Sequence, residues 1–235
     1  MLKIDLHIHS IASGHAYGTF YDIVGEAKAK KMEMIAITDH GFVDDEHYQN
    51  IHFMMGHRAP KEVEGMRILW GAEANVLNGE GKIDITEKIQ NKLDILLLGV
   101  HQLVKPNLSF EDATKGTLKA LENPNVKVLT HPTQRGVPYD NEKIMEKAIK
   151  TDTLLELNIA KLKQVPERGE LEDYKMIVDK VKDTGKKLIV NSDAHFLHEI
   201  GDDSVLKKYW SALGLEKELI INNYPEELKD FLGIS

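Results

Sequence analysis

Two histidines near the start of the chain have the spacing of a metal-binding pair. An apolar run, Leu2–Ile8, alternates with polar residues, which include His7 and, just beyond the run, His9. Alternate residues of a β-strand point to the same side, so both imidazoles would leave one strand end in the same direction. Imidazoles placed in this way can chelate a zinc-like ion. Two solvated or buried histidines would give the same short motif, so the rest of the chain must decide.

Further strand ends supply residues of the same types. Seven short apolar runs recur along the chain, and six of them are followed by His, Asp or Glu. The sixth run ends in Glu156-Leu157-Asn158 and offers no obvious ligand. Because active sites of parallel barrels form at the C-terminal strand ends, these side chains are expected to meet at one rim, and loop residue His15 can fold back over it. The candidate metal ligands are His7, His9, His15, His40, Glu73, His101, His131, Asp193 and His195.

The number of candidates argues for more than one ion. A zinc-like ion takes three or four ligands, so nine ligands suit two or three ions. A carboxylate such as that of Glu73 can bridge two ions through its two oxygens. Multi-metal sites place their ions about 3.5–4 Å apart and activate water as the nucleophile.

The elements that must position these residues alternate in type. Short apolar runs, interpreted as strands, are separated by longer amphipathic stretches, interpreted as helices, and this alternation favours a parallel sheet covered by helices. Seven such units predict an α/β fold with a closed or nearly closed barrel. The predicted strands are Leu2–Ile8, Met34–Ile37, Ile68–Trp70, Ile95–Leu98, Val126–Leu129, Leu154–Leu157 and Leu188–Val190. The predicted helices cover about residues 20–31, 47–65, 109–122, 140–151, 168–184 and 202–213.

Three smaller features complete the predicted organisation. Ile220–Ile221 could form an eighth strand, followed by a last helix from Pro225 to Leu232. The segment Leu77–Ile85 contains Asn78-Gly79, which favours a tight turn and a small hairpin. The chain shows no internal repeat, low-complexity stretch or linker, so we expect residues 1–235 to form one domain.

Composition narrows the classes of site and partner. The chain has no cysteine, so any metal must be held by nitrogen and oxygen ligands. It shows no signal peptide and no run of about 18 apolar residues, which predicts a soluble cytoplasmic protein without a membrane partner. The formal net charge of -8 argues against long nucleic acids and anionic membranes as partners. A local cationic pocket remains compatible with this charge.

The motifs around the candidate ligands resemble those of the polymerase-and-histidinol-phosphatase (PHP) family of metal-dependent phosphoesterases. The resemblance covers essentially the whole chain. Two further stretches, Ala12–Tyr17 and His52-Phe53, resemble the YcdX-like branch of bacterial phosphatases in particular. The family motifs are matched by Asp5-Leu6-His7-Ile8-His9-Ser10, Ile37-Thr38-Asp39-His40-Gly41, Gly71–Asn75, His101, Thr130-His131-Pro132 and Ser192-Asp193-Ala194-His195.

The resemblance implies a distorted (β/α)7 barrel of mainly parallel strands, with three divalent ions at the C-terminal strand ends. Zinc is the ion expected first, with manganese or iron as alternatives. Glu73 would bridge two ions, and Glu73 and Asp193 would act in catalysis through a metal-bound hydroxide. A homo-oligomer is implied as well, a trimer in this branch. By position, the three ions would be held by His7, His9, Glu73 and Asp193; by His15, His40 and His195; and by Glu73, His101 and His131.

The expected function is hydrolysis of a small phosphomonoester by attack of a metal-bridging hydroxide on phosphorus. Three divalent ions outweigh the charges of Glu73 and Asp193, so the loaded site favours a small anionic phosphorylated substrate. The alternative is a nucleotide or short nucleic-acid phosphodiesterase that uses the same trinuclear site. A metal-binding regulatory protein is disfavoured because all nine ligand positions are filled. Amide or lactone hydrolysis is disfavoured because no lysine sits at a ligand-bearing strand end.

Several polar residues near the ligands have two interpretations. Asp5 could accept a hydrogen bond from the second ring nitrogen of a ligand, or it could satisfy buried backbone groups. Asp39 is better interpreted as a support for its loop. The guanidinium of Arg135 could clamp a substrate phosphate. Substrate contacts stay open for Arg135, Arg58, His57 and His52, of which Arg58 and His57 are more typical of surface residues.

Overall fold

A parallel sheet of seven strands curls into a nearly closed barrel. The computed structural model describes residues 2–41, 46–101, 108–133, 139–165 and 171–234, with the backbone alone for residues 46–50. The strands are β1 Ile4–Ile8, β2 Met34–Ile37, β3 Glu62–Val63, β4 Met66–Asn75, β5 Ile95–Gly99, β6 Val126–Leu129, β7 Leu154–Asn158 and β8 Ile189–Asn191. The barrel order is β1-β2-β4-β5-β6-β7-β8, every neighbouring pair is parallel, and β3 pairs with β4 antiparallel.

Helices cover the outside of this sheet. The first begins at a capping box, in which Thr19 and Asp22 exchange hydrogen bonds, as expected for a helix start. None of the helices within the described ranges combines the length and apolarity needed to cross a membrane. The helices are α1 Phe20–Ala29, α2 Glu46–Met55, α3 Glu87–Gln90, α4 Phe110–Ala120, α5 Asn141–Lys150, α6 Ile159–Leu162, α7 Leu171–Thr184, α8 Ser204–Tyr209 and α9 Pro225–Leu232.

An apolar cluster occupies the barrel away from the carboxyl ends of the strands. Each of the seven barrel strands contributes to it, and Leu228 and Leu232 of α9 pack against it. Side chains of this kind fill barrel interiors and make them solid. The cluster therefore leaves only the opposite end of the barrel for polar chemistry. Its strand residues are Ile4, Leu6, Met34, Ala36, Leu69, Ile95, Leu97, Val128, Leu154 and Ile189.

Side chains close the seam between the first and last strands. A bridge between Ile8 and Ala194 is the main-chain pairing found there in the described residues. Leu6 N–H donates to Asn191 Oδ1 at 2.9 Å. Asn222 Nδ2 donates to Ile4 O at 3.0 Å and to Val190 O at 2.7 Å, and Val190 N–H donates to Asn222 Oδ1 at 2.9 Å. The side-chain amide of Asn222 thus bonds the main chains of β1 and β8, as a peptide group of an intervening strand would.

The fold class and the seven predicted barrel strands are confirmed, but two predicted elements are wrong. The helix predicted over 47–65 ends at Met55 and is followed by a 3-10 turn, Gly56–Arg58. Glu64 and Gly65, both at positive φ (51° and 83°), then turn the chain into the β3–β4 hairpin. Ile220–Ile221 is no strand: Ile220 makes one bridge to Leu188, and a 3-10 turn begins at Ile221. The tight turn predicted in Leu77–Ile85 is present, with Leu77 N–H donating to Lys82 O at 2.8 Å.

Candidate metal centre

The carboxyl ends of the barrel strands bring the nine predicted residues together at one end of the barrel. Three groups of ligand atoms lie within 4.8 Å of one another: His7, His9 and Asp193; His9, His40 and His195; and His40, Glu73 and His101. The other two predicted residues adjoin these groups. His15 Nε2 lies 2.9 Å from His195 Nε2, and His131 Nε2 lies 3.0 Å from Glu73 Oε1.

Glu73 lies at the centre of this arrangement and is fully buried. It extends from β4, and its two carboxylate oxygens face different groups of rings. Oε1 lies 3.0 Å from His131 Nε2 and 3.3 Å from His101 Nε2. Oε2 lies 3.1–3.4 Å from ring nitrogens of three other histidines, His7, His9 and His40.

Most of the rings are oriented by acceptors on their far side. A donated hydrogen bond from Nδ1 fixes the tautomer and leaves Nε2 as the ligating atom, which is the usual arrangement of a metal-binding histidine. Five rings are held in this way. Nδ1–H donates from His7 to Glu156 Oε1 (2.7 Å), from His9 to Ser13 Oγ (3.0 Å), from His15 to Ser13 O (2.9 Å), from His101 to Asn75 Oδ1 (2.6 Å) and from His195 to Asp193 O (2.9 Å).

The inward-facing atoms fit divalent cations. The Nε2 atoms of His7 and His9 lie 3.1 Å apart, as do those of His101 and His131. Where both rings carry their proton on Nδ1, as the acceptors beside His7 and His9 favour, the facing Nε2 lone pairs repel each other unless a cation or a proton lies between them. Buried Glu73 Oε2 also lacks a well-oriented hydrogen-bond donor among the described residues. Nitrogen and carboxylate oxygen are ligands that zinc, manganese and iron accept, so the donor set matches the expected ions.

The charge state of the centre suits ligation. Although burial raises the pKa of the Glu73 carboxyl, the charges of His101 and His7 hold it well below its usual range. Burial opposes ionisation of Asp193 as well, but His7 and Lys161 keep its pKa well below the ordinary value. Burial lowers the pKa of His40 well below that of a free histidine. Charged carboxylates and neutral imidazoles are the forms that bind metal. His7 differs from His40, because the charges of Glu73 and Glu156 outweigh its burial and raise its pKa, so metal binding at His7 would release a proton.

Glu156 is a member of the site that its sequence position did not reveal. It is fully buried on β7 and accepts four hydrogen bonds. His7 Nδ1 (2.7 Å) and Asn191 Nδ2 (3.0 Å) donate to Oε1, and His131 N (2.9 Å) and Asn158 Nδ2 (2.8 Å) donate to Oε2. One carboxylate therefore orients one predicted ligand and the backbone of another. The available signal was a single charged residue inside an otherwise apolar strand.

The backbone at two predicted ligands is strained. His131 has a φ of 29° and Asp193 a φ of 55°, in a region that residues other than glycine rarely adopt. Such conformations cost about 1–3 kcal/mol each and persist where surrounding contacts impose them. At His131 the contact that holds this conformation is the hydrogen bond from its backbone N–H to Glu156 Oε2. At Asp193, Oδ1 lies 3.2 Å from His9 Nε2, while Oδ2 accepts from Asn158 Nδ2 at 3.2 Å.

Asp5 does not make the bond to a ligand ring that was one of its two predicted roles. Its carboxylate instead accepts from the backbone N–H groups of Ser192 (3.0 Å) and Gly201 (2.9 Å). Glu156 takes the place next to the ring of His7. Asp5 therefore satisfies buried backbone and ties β1 to the chain after β8.

Asp39 supports a loop, as predicted, but the loop is the one after β1 that carries His15 and not the loop of Asp39 itself. It accepts from Ser10 N–H (2.7 Å), Ser10 Oγ–H (2.7 Å) and Ser13 Oγ–H (2.6 Å). His52 Nε2 lies 3.2 Å from Asp39 Oδ2, which places this histidine behind the site and not among the ligand atoms. Burial raises the pKa of Asp39, but hydrogen bonds from His52 and Ser13 bring it down to about 2.

The remaining polar residues named from the sequence are either exposed on the surface or outside the described residues. His57 and Arg58 are exposed on the turn after α2, and His57 Nδ1–H donates to Met54 O. Arg135 lies outside the described residues.

Sequence comparison relates the whole chain to bacterial phosphatases. The PHP domain family matches residues 5–130. A probable phosphatase of Yersinia enterocolitica is 35% identical over 234 residues, which cover 99% of this chain and 94% of that protein. A probable phosphatase of Caldanaerobacter subterraneus subsp. tengcongensis is 32% identical over 232 residues, or 98% of this chain and 91% of the relative.

Two solved structures share the fold at low sequence identity. Histidinol phosphate phosphatase of Lactococcus lactis subsp. lactis, crystallised with zinc, L-histidinol and phosphate, superposes with a TM-score of 0.54 at 15% identity, covering 91% of this chain and 94% of that one. A chain of archaeal ribonuclease P, determined with mature tRNA, gives a TM-score of 0.57 at 15% identity, covering 98% and 90%. At this identity the likeness concerns the fold alone.

Proposed function

Because the chain belongs to the PHP domain family, we propose that it is a metal-dependent phosphatase that hydrolyses a small phosphomonoester. The observation that carries the proposal is the position of Glu73, whose two oxygens face separate groups of imidazoles. A carboxylate so placed can serve two cations at once. A cluster of cations in a buried pocket favours an anionic substrate, and a phosphate ester carries the required charge.

The proposed ligand sets follow the three groups of side chains. Bound divalent ions would supply hydroxide at neutral pH, by lowering the pKa of water, and positive charge for the phosphate oxygens. Zinc is proposed first, because nitrogen-rich sites bind it more tightly than manganese or iron(II). The proposed sets are His7, His9, Asp193 and Glu73; His15, His40 and His195; and Glu73, His101 and His131.

The protein's own residues would bind and orient the ions, and would not exchange protons with the substrate. Five of the site histidines already donate from Nδ1 to an acceptor and direct Nε2 inward, so they have no second nitrogen free for proton transfer. Glu73 and Asp193 would act in catalysis by holding the ions in place. Assignment of residues 1–235 to one domain, a cytoplasmic location and a homotrimer stay predictions.

A pair of synthetic substrates tests the proposal. The metal-loaded protein should hydrolyse p-nitrophenyl phosphate, and a chelator should abolish this turnover. Bis(p-nitrophenyl) phosphate, assayed in parallel, should be a much poorer substrate. Preference for the diester would favour the alternative, a nucleotide or short nucleic-acid phosphodiesterase. Turnover of neither ester by metal-loaded protein would contradict both readings.

A further inference from the structure

Lys161 places an ammonium group beside the candidate metal centre. It lies on α6, directly after β7, the strand end that supplies no predicted ligand. Its Nζ is 3.2 Å from Asp193 Oδ2, and its side chain is 23% exposed. In the barrel, β7 lies between β6, which leads to His131, and β8, which leads to Asp193. The ammonium group therefore occupies the rim sector between two proposed ligands.

Asp193 does not depend on Lys161 alone for its orientation. Asn158 Nδ2 already donates to the same oxygen at 3.2 Å, and Asp193 Oδ1 faces His9. Asn158 is itself fixed as the N-cap of α6, where its Oδ1 accepts from Lys161 N–H at 3.0 Å. A neutral donor thus holds the carboxylate, and the charge of Lys161 is additional.

Asp193 stabilises this charge in the metal-free site, but with divalent ions bound the charge would be unfavourable unless an anion joins it. Ions held by Glu73, Asp193 and the imidazoles would repel an ammonium group a few ångströms away, because like charges interact strongly in a partly buried site. A phosphate group bound between them would reverse the sign of the interaction. A lysine ammonium has three N–H donors, so a bond to Asp193 leaves two for other acceptors.

We propose that Lys161 binds the phosphoryl oxygens of the substrate from the β7 side of the rim. The inference rests on the proposed phosphatase function and names a residue that would touch the substrate itself. Lys161 would lower KM and strengthen binding of the product, inorganic phosphate, while the metal ligands would stay those already described.

The test compares two lysines of one helical turn. In Lys161→Met the charge beside Asp193 is removed, and in Lys161→Arg it is kept. Lys163→Met is the matched control, because Lys163 pairs with Asp202 Oδ2 at 3.0 Å and not with a proposed ligand. Calorimetry measures binding of inorganic phosphate to each zinc-loaded protein, elemental analysis measures zinc content, and p-nitrophenyl phosphate kinetics separates KM from kcat.

Loss of a charged hydrogen bond should weaken phosphate binding by about 10- to 100-fold in Lys161→Met, with a matching rise in KM. Zinc content should stay normal, Lys161→Arg should recover most of the affinity, and Lys163→Met should match the wild type. Unchanged phosphate affinity in zinc-replete Lys161→Met would overturn the proposal, as would zinc loss that fully accounts for the defect. If the wild-type protein binds phosphate but hydrolyses no ester, the proposed function fails while the binding comparison still decides the role of Lys161.

Discussion

His7 and Glu156 are joined by a 2.7 Å hydrogen bond from His7 Nδ1 to Glu156 Oε1, and both side chains are fully buried. Burial alone would lower the pKa of His7, but the charges of Glu73 and Glu156 raise it well above the usual histidine value. The same bond directs His7 Nε2 towards His9 and Glu73. Glu156 thereby determines which nitrogen of His7 can bind metal.

Replacing Glu156 with Gln should weaken metal binding. The carboxylate accepts four N–H bonds, and the amide of Gln would turn an N–H group towards two of these donors. Loss of a bond that orients a metal ligand typically costs about 10–100-fold in metal affinity. Metal titration by calorimetry measures the loss. Glu146→Gln, at a surface pair with Lys180, is the control, and equal affinities in the two variants would refute the role of Glu156.

Replacing Glu73 with Ala should remove metal and activity together. Its two oxygens face two groups of histidines, so the substitution would take a ligand from two ions at once. The cost should exceed the roughly 10–100-fold typical of an orienting contact. Elemental analysis and p-nitrophenyl phosphate turnover are measured on the same preparation, with Glu80→Ala at the surface as control. Normal metal content in Glu73→Ala would rule out a bridging role.

Asn222→Ala should destabilise the barrel at its seam. The substitution leaves Val190 N–H, Val190 O and Ile4 O without the side chain that now bonds them. Buried groups left unpaired in this way should lower the free energy of unfolding by about 2–4 kcal/mol. Urea unfolding measures the change. The neighbouring variant Asn223→Ala loses one exposed bond to Lys217 O and should cost under about 0.5 kcal/mol, so similar losses would contradict the account.

Asp84 should make stability depend on pH. Burial raises the pKa of its carboxyl from 3.8 to about 6, although hydrogen bonds from Asn75, which also accepts from His101, oppose the shift. Because the folded pKa exceeds the unfolded one, the stabilisation is complete below pH 3.8 and is lost as pH rises through 6. The loss relative to Asp84→Asn should be about 3 kcal/mol. Unfolding of both proteins between pH 3.5 and about 7.5 measures the difference, and a constant difference would contradict it.

The strand ends could be predicted from sequence because each belongs to a local pattern. An apolar run sets the direction of a strand, and the residues that follow it, such as Glu73 and Asp193, must then reach one rim. That logic also placed His15, whose loop is tied down by Asp39. Convergence of the nine residues thus followed from local sequence and one rule about barrels.

The features that escaped prediction depend on contacts between distant parts of the chain. Asn222 bonds to Ile4 across 218 positions, and Glu156 bonds to His7 across 149, so no local window signals either role. The 47–65 segment was misassigned because its helical pattern hides a two-residue strand that needs β4 as its partner. Lys161 was not predicted because its side chain comes from the helix that follows a strand end and not from the strand end itself.

The number of divalent ions bound per chain tests the central claim most directly. Wild-type protein stripped with chelator is titrated with zinc, and elemental analysis after gel filtration is compared with p-nitrophenyl phosphate turnover at each step. The ligand sets proposed here predict about three tightly bound ions, with turnover reaching its maximum as the last site fills. Turnover that persists in metal-free protein, or protein that retains no ion after gel filtration, would contradict the account.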